Sequence, residues 1–182
     1  MPVQNPPAGL LIAPGASADR NNRTMVALDE GLDLPVCRVT ITARAQAKVL
    51  DGLRADLSAF CDELGVGPER IVLGGRSFGG RMCSMLVAEG QVAAGLVLLS
   101  YPLHPPDKPD VLRTAHFPAL SVPCLFVSGT KDPFATPAEL AVHTAAVGGP
   151  VETVLLDGEG HSPRSDAPVI AAVIEWLARL RR

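Results

Sequence analysis

Arg70-Ile71-Val72-Leu73-Gly74-Gly75-Arg76-Ser77-Phe78-Gly79-Gly80 joins a short apolar run to a helical pattern through the spacing Gly75-x-Ser77-x-Gly79. Arg70 to Gly74 reads as a buried strand, and Ser77 to Glu89 as a helix ended by Gly90. A serine placed between them is forced into a strained turn, and the flanking glycines let strand and helix approach without a Cβ clash. Its hydroxyl is then presented above the sheet at a helix N-terminus, where free N–H groups and the helix dipole stabilise developing negative charge. The same glycines have the outer spacing of a phosphate cradle, but Gly80-Arg81 stands where Lys-Ser/Thr is required. The first βα turn reads Pro14-Gly15-Ala16-Ser17, not Gly-x-Gly-x-x-Gly. A nucleophile elbow on Ser77 is therefore expected, and nucleotide binding is not.

Outward from the elbow, strand and helix alternate along the whole chain. Gly9 to Ala13 is an apolar run stopped by Pro14-Gly15, and Leu34 to Ile41 is rich in Val, Ile and Thr. Gly95 to Ser100, Pro123 to Ser128 and Val151 to Leu156 complete six strands. A helical patch surrounds Met25 to Glu30, and Leu50, Leu53, Leu57, Phe60 and Leu64 recur at helical spacing before Gly65. Thr136 is the expected N-cap of a helix with Pro137 at its first position. The last helix is expected to bury Ile170, Val173, Ile174, Leu177 and Leu180, and it ends on Arg179, Arg181 and Arg182, favourable at a negative helix end. Six apolar strands alternating with helices imply a parallel sheet covered on both faces, a three-layer α/β/α sandwich in one domain spanning 1–182. The proline-rich connection from Tyr101 to Val122 shows no helix or strand pattern, and a loop of that length inside a domain is usually functional or mobile.

Composition narrows the function. The 182 residues are 47% hydrophobic and carry 16 Lys+Arg against 19 Asp+Glu, so a packed core is expected and a basic nucleic-acid footprint is not. Five Phe, one Trp and one Tyr leave little for a stacking platform, and 17 Gly with 17 Pro suit a loop-rich working face. No run reaches membrane-spanning length, and Met1-Pro2-Val3-Gln4-Asn5 lacks a basic region leading into an apolar core. Four cysteines without a Cys-x-x-Cys or zinc-ligand spacing read as reduced, mostly buried thiols, giving a cytoplasmic expectation with no metal.

A nucleophilic serine needs a base and an acid, in the chain order Ser, Asp/Glu, His. Asp132 follows the fifth strand in Gly129-Thr130-Lys131-Asp132-Pro133-Phe134, and His161 follows the sixth in Gly158-Glu159-Gly160-His161. All three residues then project from one carboxyl edge, with His161 as base, Asp132 as its orienter, and Asp157 and Glu159 as reserve acids. The oxyanion hole is expected from the backbone N–H groups of Phe78 and Ala16. A strand order 2-1-3-4-5-6 reverses between the first and third strands, so the Gly15-Ala16 and Gly75-Ser77 loops face one crevice. Gly15, Arg76, Tyr101, His104 and Phe134 are candidate substrate contacts. His116 shares the proline-rich loop with His104, and His143 falls on an outer helical position.

These segments resemble the α/β-hydrolase superfamily, and more narrowly the small dienelactone-hydrolase-like proteins of the branch related to testis-expressed protein thirty. The likeness runs from Leu10 to Trp176. It is carried by Pro14-Gly15-Ala16, Gly74 to Arg81, Tyr101-Pro102-Leu103-His104-Pro105-Pro106, Gly129 to Phe134, and Gly160-His161. It implies a minimal α/β-hydrolase fold beginning at the third strand of the full fold, without a cap domain, and Ser77, Asp132 and His161 as nucleophile, acid and base. Relatives commonly have His-Gly where this chain reads Pro14-Gly15. The expected activity is hydrolysis of a small-molecule ester or thioester through an acyl-enzyme, with no cofactor. An alternative of another class is an idle hydrolase fold serving as a protein-interaction module, because the branch includes a subunit of a chromatin complex.

Overall fold

The strand that leads into the elbow, Ile71–Arg76, is third in the chain and third across a six-stranded sheet. In a computed structural model the described residues are 6–180; Met1 to Asn5 and the closing Arg181 and Arg182, both used in the sequence reading, lie outside them. The elements are β1 (Gly9–Ala13), α1 (Arg23–Gly31), β2 (Val36–Arg38), α2 (Gln46–Leu64), β3 (Ile71–Arg76), α3 (Phe78–Ala88), β4 (Gly95–Leu99), β5 (Cys124–Gly129), α4 (Pro137–Thr144), β6 (Val151–Leu156) and α5 (Ala167–Leu180). The sheet order is β2-β1-β3-β4-β5-β6 and every neighbouring pair is parallel. The order expected from sequence is therefore observed, with the reversal between β1 and β3. No inserted cap lies among the described residues, and none of their helices is long and apolar enough to cross a membrane.

The period-two alternation of strand side chains builds two cores, one on each face. Leu11, Ala13, Ile71, Leu73, Leu96, Leu98 and Phe126 pack with Leu50, Leu53 and Leu57 of α2, Met82 and Leu86 of α3, and Leu140 of α4. Leu10, Ile12, Val72, Val97, Leu99, Leu125 and Val127 pack on the opposite side against Met25 and Leu28 of α1 and the inner face of α5. The central strands read as continuous apolar runs because both of their faces are covered.

Departures from expectation concentrate at the sheet edges and in α5. β2 is three residues long rather than Leu34 to Ile41, since it has a neighbour on one side only and Thr40 is exposed. β6 is the other edge, and its burial alternates, leaving Val151 and Leu155 exposed. In α5 the buried stripe is Val169, Ala172, Val173, Trp176 and Leu177; Ile170 and Leu180 pack partly, and Ile174 is 45% exposed. Trp176 takes the inner place because Gly95 makes room for it: a Cβ there would sit 2.8 Å from its ring. The four cysteines are free thiols, three of them buried and Cys37 half-buried.

Candidate active site

Ser77 occupies the turn between β3 and α3 with φ 50° and ψ −115°, a region that L-residues rarely adopt. Packing enforces that conformation. A Cβ on Gly75 would lie 2.5 Å from the Ala13 carbonyl oxygen, and one on Gly79 would lie 2.3 Å from the same atom. Any larger residue at either position would push α3 off β1. The Ser77 N–H is held by the Leu99 carbonyl at 2.8 Å, so the side chain is the part of the residue left to project.

Asp132 and His161 meet Ser77 from the ends of β5 and β6. The Ser77 Oγ is 2.9 Å from His161 Nε2. His161 Nδ1 is 2.8 Å from Asp132 Oδ2 and 3.0 Å from Oδ1. Asp132 is 1% exposed and also accepts the Phe134 N–H at 2.9 Å, so its carboxylate has a fixed orientation. The two loops are fastened together: Lys131 N–H donates to the Glu159 carbonyl, and a Cβ on Gly129 would lie 2.2 Å from that oxygen. The reserve acids are engaged elsewhere, Asp157 with the Thr130 hydroxyl and Glu159 with Arg164. His161 keeps one ring face against Phe134, the centroids 4.1 Å apart.

Phe78 opens α3, so its N–H has no intrahelical acceptor. Gly15 lies beside it in space, since a Cβ there would be 3.9 Å from the Ser77 Cβ, and Ala16 is exposed in the same loop. Gly15, followed in its loop by Ala16, therefore stands beside the Ser77 turn where the strand order reverses between β1 and β3.

The expected substrate contacts divide. Arg76 is a clamp on the loop after β6: its Nη2 donates to the His161 carbonyl at 2.9 Å and to the Ser162 hydroxyl. The sequence carries this pairing only as an arginine directly before the serine and a serine directly after the histidine. Tyr101, a candidate substrate contact, is placed in the core. It is 1% exposed, its hydroxyl donates to the Arg113 carbonyl, and its ring packs edge-on against Phe117 and Phe126. His104, the other candidate contact of the proline-rich connection, is also buried, with Nδ1 2.7 Å from the Pro105 carbonyl. Its Nε2 approaches Glu139 Oε1 at 3.3 Å without the alignment of a hydrogen bond. Among the described residues no cluster of three metal-ligating side chains occurs.

A family model described as an alpha/beta hydrolase domain matches residues 6–167. The chain belongs to the α/β-hydrolase family. Among solved structures, Est1E from Butyrivibrio proteoclasticus superposes with a TM-score of 0.79 at 17% identity, covering 97% of this chain and 89% of that one. A thermophilic esterase from Thermogutta terrifontis gives 0.72 at 20% identity, covering 98% and 92%. At such identities these likenesses speak for the fold. A curated relative, epoxide hydrolase A of Mycobacterium tuberculosis, is 40% identical over 63 residues, 34% of this chain and 20% of that protein. Family and fold together support a hydrolase.

Proposed function

We propose that this α/β-hydrolase is a serine hydrolase of carboxylic esters or thioesters, working through an acyl-enzyme on Ser77. The observation that carries the reading is the unbroken contact from Ser77 Oγ through His161 to a buried, oriented Asp132. With Asp132 accepting from Nδ1–H, the Nε2 lone pair of His161 faces the serine hydroxyl and can take its proton. The Ser77 oxygen then bonds to the substrate carbonyl carbon, whose oxygen becomes an anion held by the N–H groups of Phe78 and Ala16. Collapse breaks the bond to the alcohol or thiol, which leaves with the proton from His161 Nε2. Water repeats the sequence: His161 removes its proton, its oxygen bonds to the acyl carbon, and Ser77 departs with that proton as the acid is released.

The narrower likeness to dienelactone-hydrolase-like proteins rests on the same motif segments and agrees with the small, uncapped site. A fluorophosphonate probe tests the reading. Wild-type protein should label and hydrolyse short-chain aryl esters, and Ser77→Ala should do neither. Folded wild-type protein that neither labels nor turns over esters or thioesters would refute the proposal and leave the interaction module as the better account.

A further inference from the structure

The loop after β6 ends on an aspartate that is turned toward another element. Asp166 directly precedes α5, where an aspartate ordinarily accepts N–H groups of the helix's own first turn. Here its carboxylate faces the start of α1. Oδ1 accepts from the Thr24 hydroxyl at 2.7 Å, and Oδ2 forms an ion pair with Arg23 Nε at 2.6 Å. Arg23 also donates through Nη2 to the Pro163 carbonyl at 2.6 Å. Thr24 is 8% exposed and the Asp166 side chain 12%, so the carboxylate end of this contact is largely shielded from water and salt. The start of α1 is fixed in turn by Asn22, whose side chain accepts the Thr24 N–H at 3.2 Å.

These contacts join two loops that the proposed chemistry needs in register. Arg23 and Thr24 close the connection from β1, residues 14–22, which carries Ala16. Pro163 and Asp166 belong to the end of the connection from β6, residues 157–166, which carries His161. A second tie runs nearer the serine. Arg76 holds the His161 carbonyl, and a Cβ on Gly15 would lie 3.4 Å from Arg76 Nη1, so this guanidinium stands between the same two loops. One small cavity has Thr24, Arg76, Ser100 and Pro163 in its walls, so the two ties are neighbours. A shift of one loop against the other moves either His161 Nε2 or the Ala16 N–H relative to Ser77. A misplacement of about 1 Å in such a site can cost about a hundredfold in rate.

We propose that Asp166 is a positioning residue that keeps the Ala16 loop and the His161 loop in register. The inference rests on the hydrolase reading for the chemistry that this register serves. Asp166→Asn removes the charge facing Arg23, and Thr24→Val removes the hydroxyl at nearly constant volume. With an aryl ester and the full chain, Asp166→Asn should lower kcat by about tenfold to a hundredfold, with KM changed by less than about twofold. Thr24→Val should lower kcat by about threefold to tenfold, and Thr24→Ser should restore most of it. Arg164→Met removes an exposed contact with Glu159 on the same connection and should leave kcat unchanged. A lower melting temperature with unchanged kcat in Asp166→Asn and Thr24→Val overturns the proposal. An equal loss of kcat in Arg164→Met overturns it too, since any disturbance of the connection would then suffice.

A spectroscopic readout that needs no turnover separates this proposal from the hydrolase reading. In folded 15N-labelled protein, Asp166→Asn should shift both the His161 ring resonances and the Ala16 amide resonance, although the Asp166 side chain bonds to neither residue. If Ser77 never labels with fluorophosphonate yet both resonances move, the coupling stands and the hydrolase reading falls. If either resonance stays at its wild-type position, the two loops are not coupled through Asp166 and the proposal is overturned.

Discussion

Ser77, Arg76 and His116 each depend on an environment that a single substitution can change. The Ser77 backbone sits where a non-glycine residue stores of order 1–3 kcal/mol, and the Gly75 and Gly79 contacts hold it there. Asp132→Asn would keep the shape of the carboxylate but remove its charge, allowing His161 the wrong tautomer. Ester turnover should fall by roughly three to four orders of magnitude, read as kcat, with the melting temperature little changed. Arg76 acts at one remove, by fixing the His161 carbonyl and Ser162. Arg76→Met should lower kcat by about tenfold to a hundredfold with little change in KM, and Arg76→Lys should restore part of the loss. His116 is pushed down from 6.5 to about 4 by burial and then by Arg81. A histidine whose folded pKa is depressed gives stability that is present above 6.5 and lost as pH falls through about 4, because the unfolded chain binds the proton more readily. His116→Gln should flatten the urea midpoint against pH across that window.

Elements carry the residues to one edge, and their legibility in the sequence followed their burial. β1, β3, β4 and β5 were readable because strands covered on both faces must be apolar throughout. β2 is shorter than its apolar run and β6 is partly exposed because a sheet edge relaxes that demand, and sequence does not mark which strands are edges. In α5 the apolar content made two neighbouring stripes plausible, and Gly95, far away in sequence, decides that Trp176 rather than Ile174 faces inward. The candidate triad residues stand after three strands that the sequence marks, whereas the Arg76 contact with the His161 carbonyl depends on long-range proximity. The capping box of α4 illustrates the local kind of signal: Thr136 Oγ1 accepts the Glu139 N–H, and the Glu139 carboxylate accepts the Thr136 N–H. Thr136→Ala should destabilise the protein by about 1 kcal/mol in urea denaturation. Gly79→Ala should cost more, about 1–3 kcal/mol, because the clash is with the backbone of β1 and cannot be relieved by a side-chain rotation.

At the scale of the molecule, the sheet divides the interior into two cores, and each holds one unique spectroscopic probe. Trp176, the only tryptophan, lies in the core with α1 and α5; Tyr101, the only tyrosine, lies in the other, edge-on to Phe117 and Phe126. The central strands contribute alternate side chains to both cores, so neither face can be opened without withdrawing residues that border the other. The expected outcome is one cooperative transition. Tryptophan fluorescence and the single 19F resonance of fluorotyrosine-labelled protein should give the same urea midpoint. Trp176→Ala supplies the sharper form of the test, since it removes a large side chain that is only 4% exposed from one core. A loss of about 3–5 kcal/mol is expected from that cavity. If the sheet couples its two faces, the Tyr101 resonance must report this same loss although its own surroundings are untouched. A Tyr101 transition that stays at the wild-type midpoint would show instead that the faces unfold separately, and that the candidate active site is supported mainly by the core beneath α2, α3 and α4.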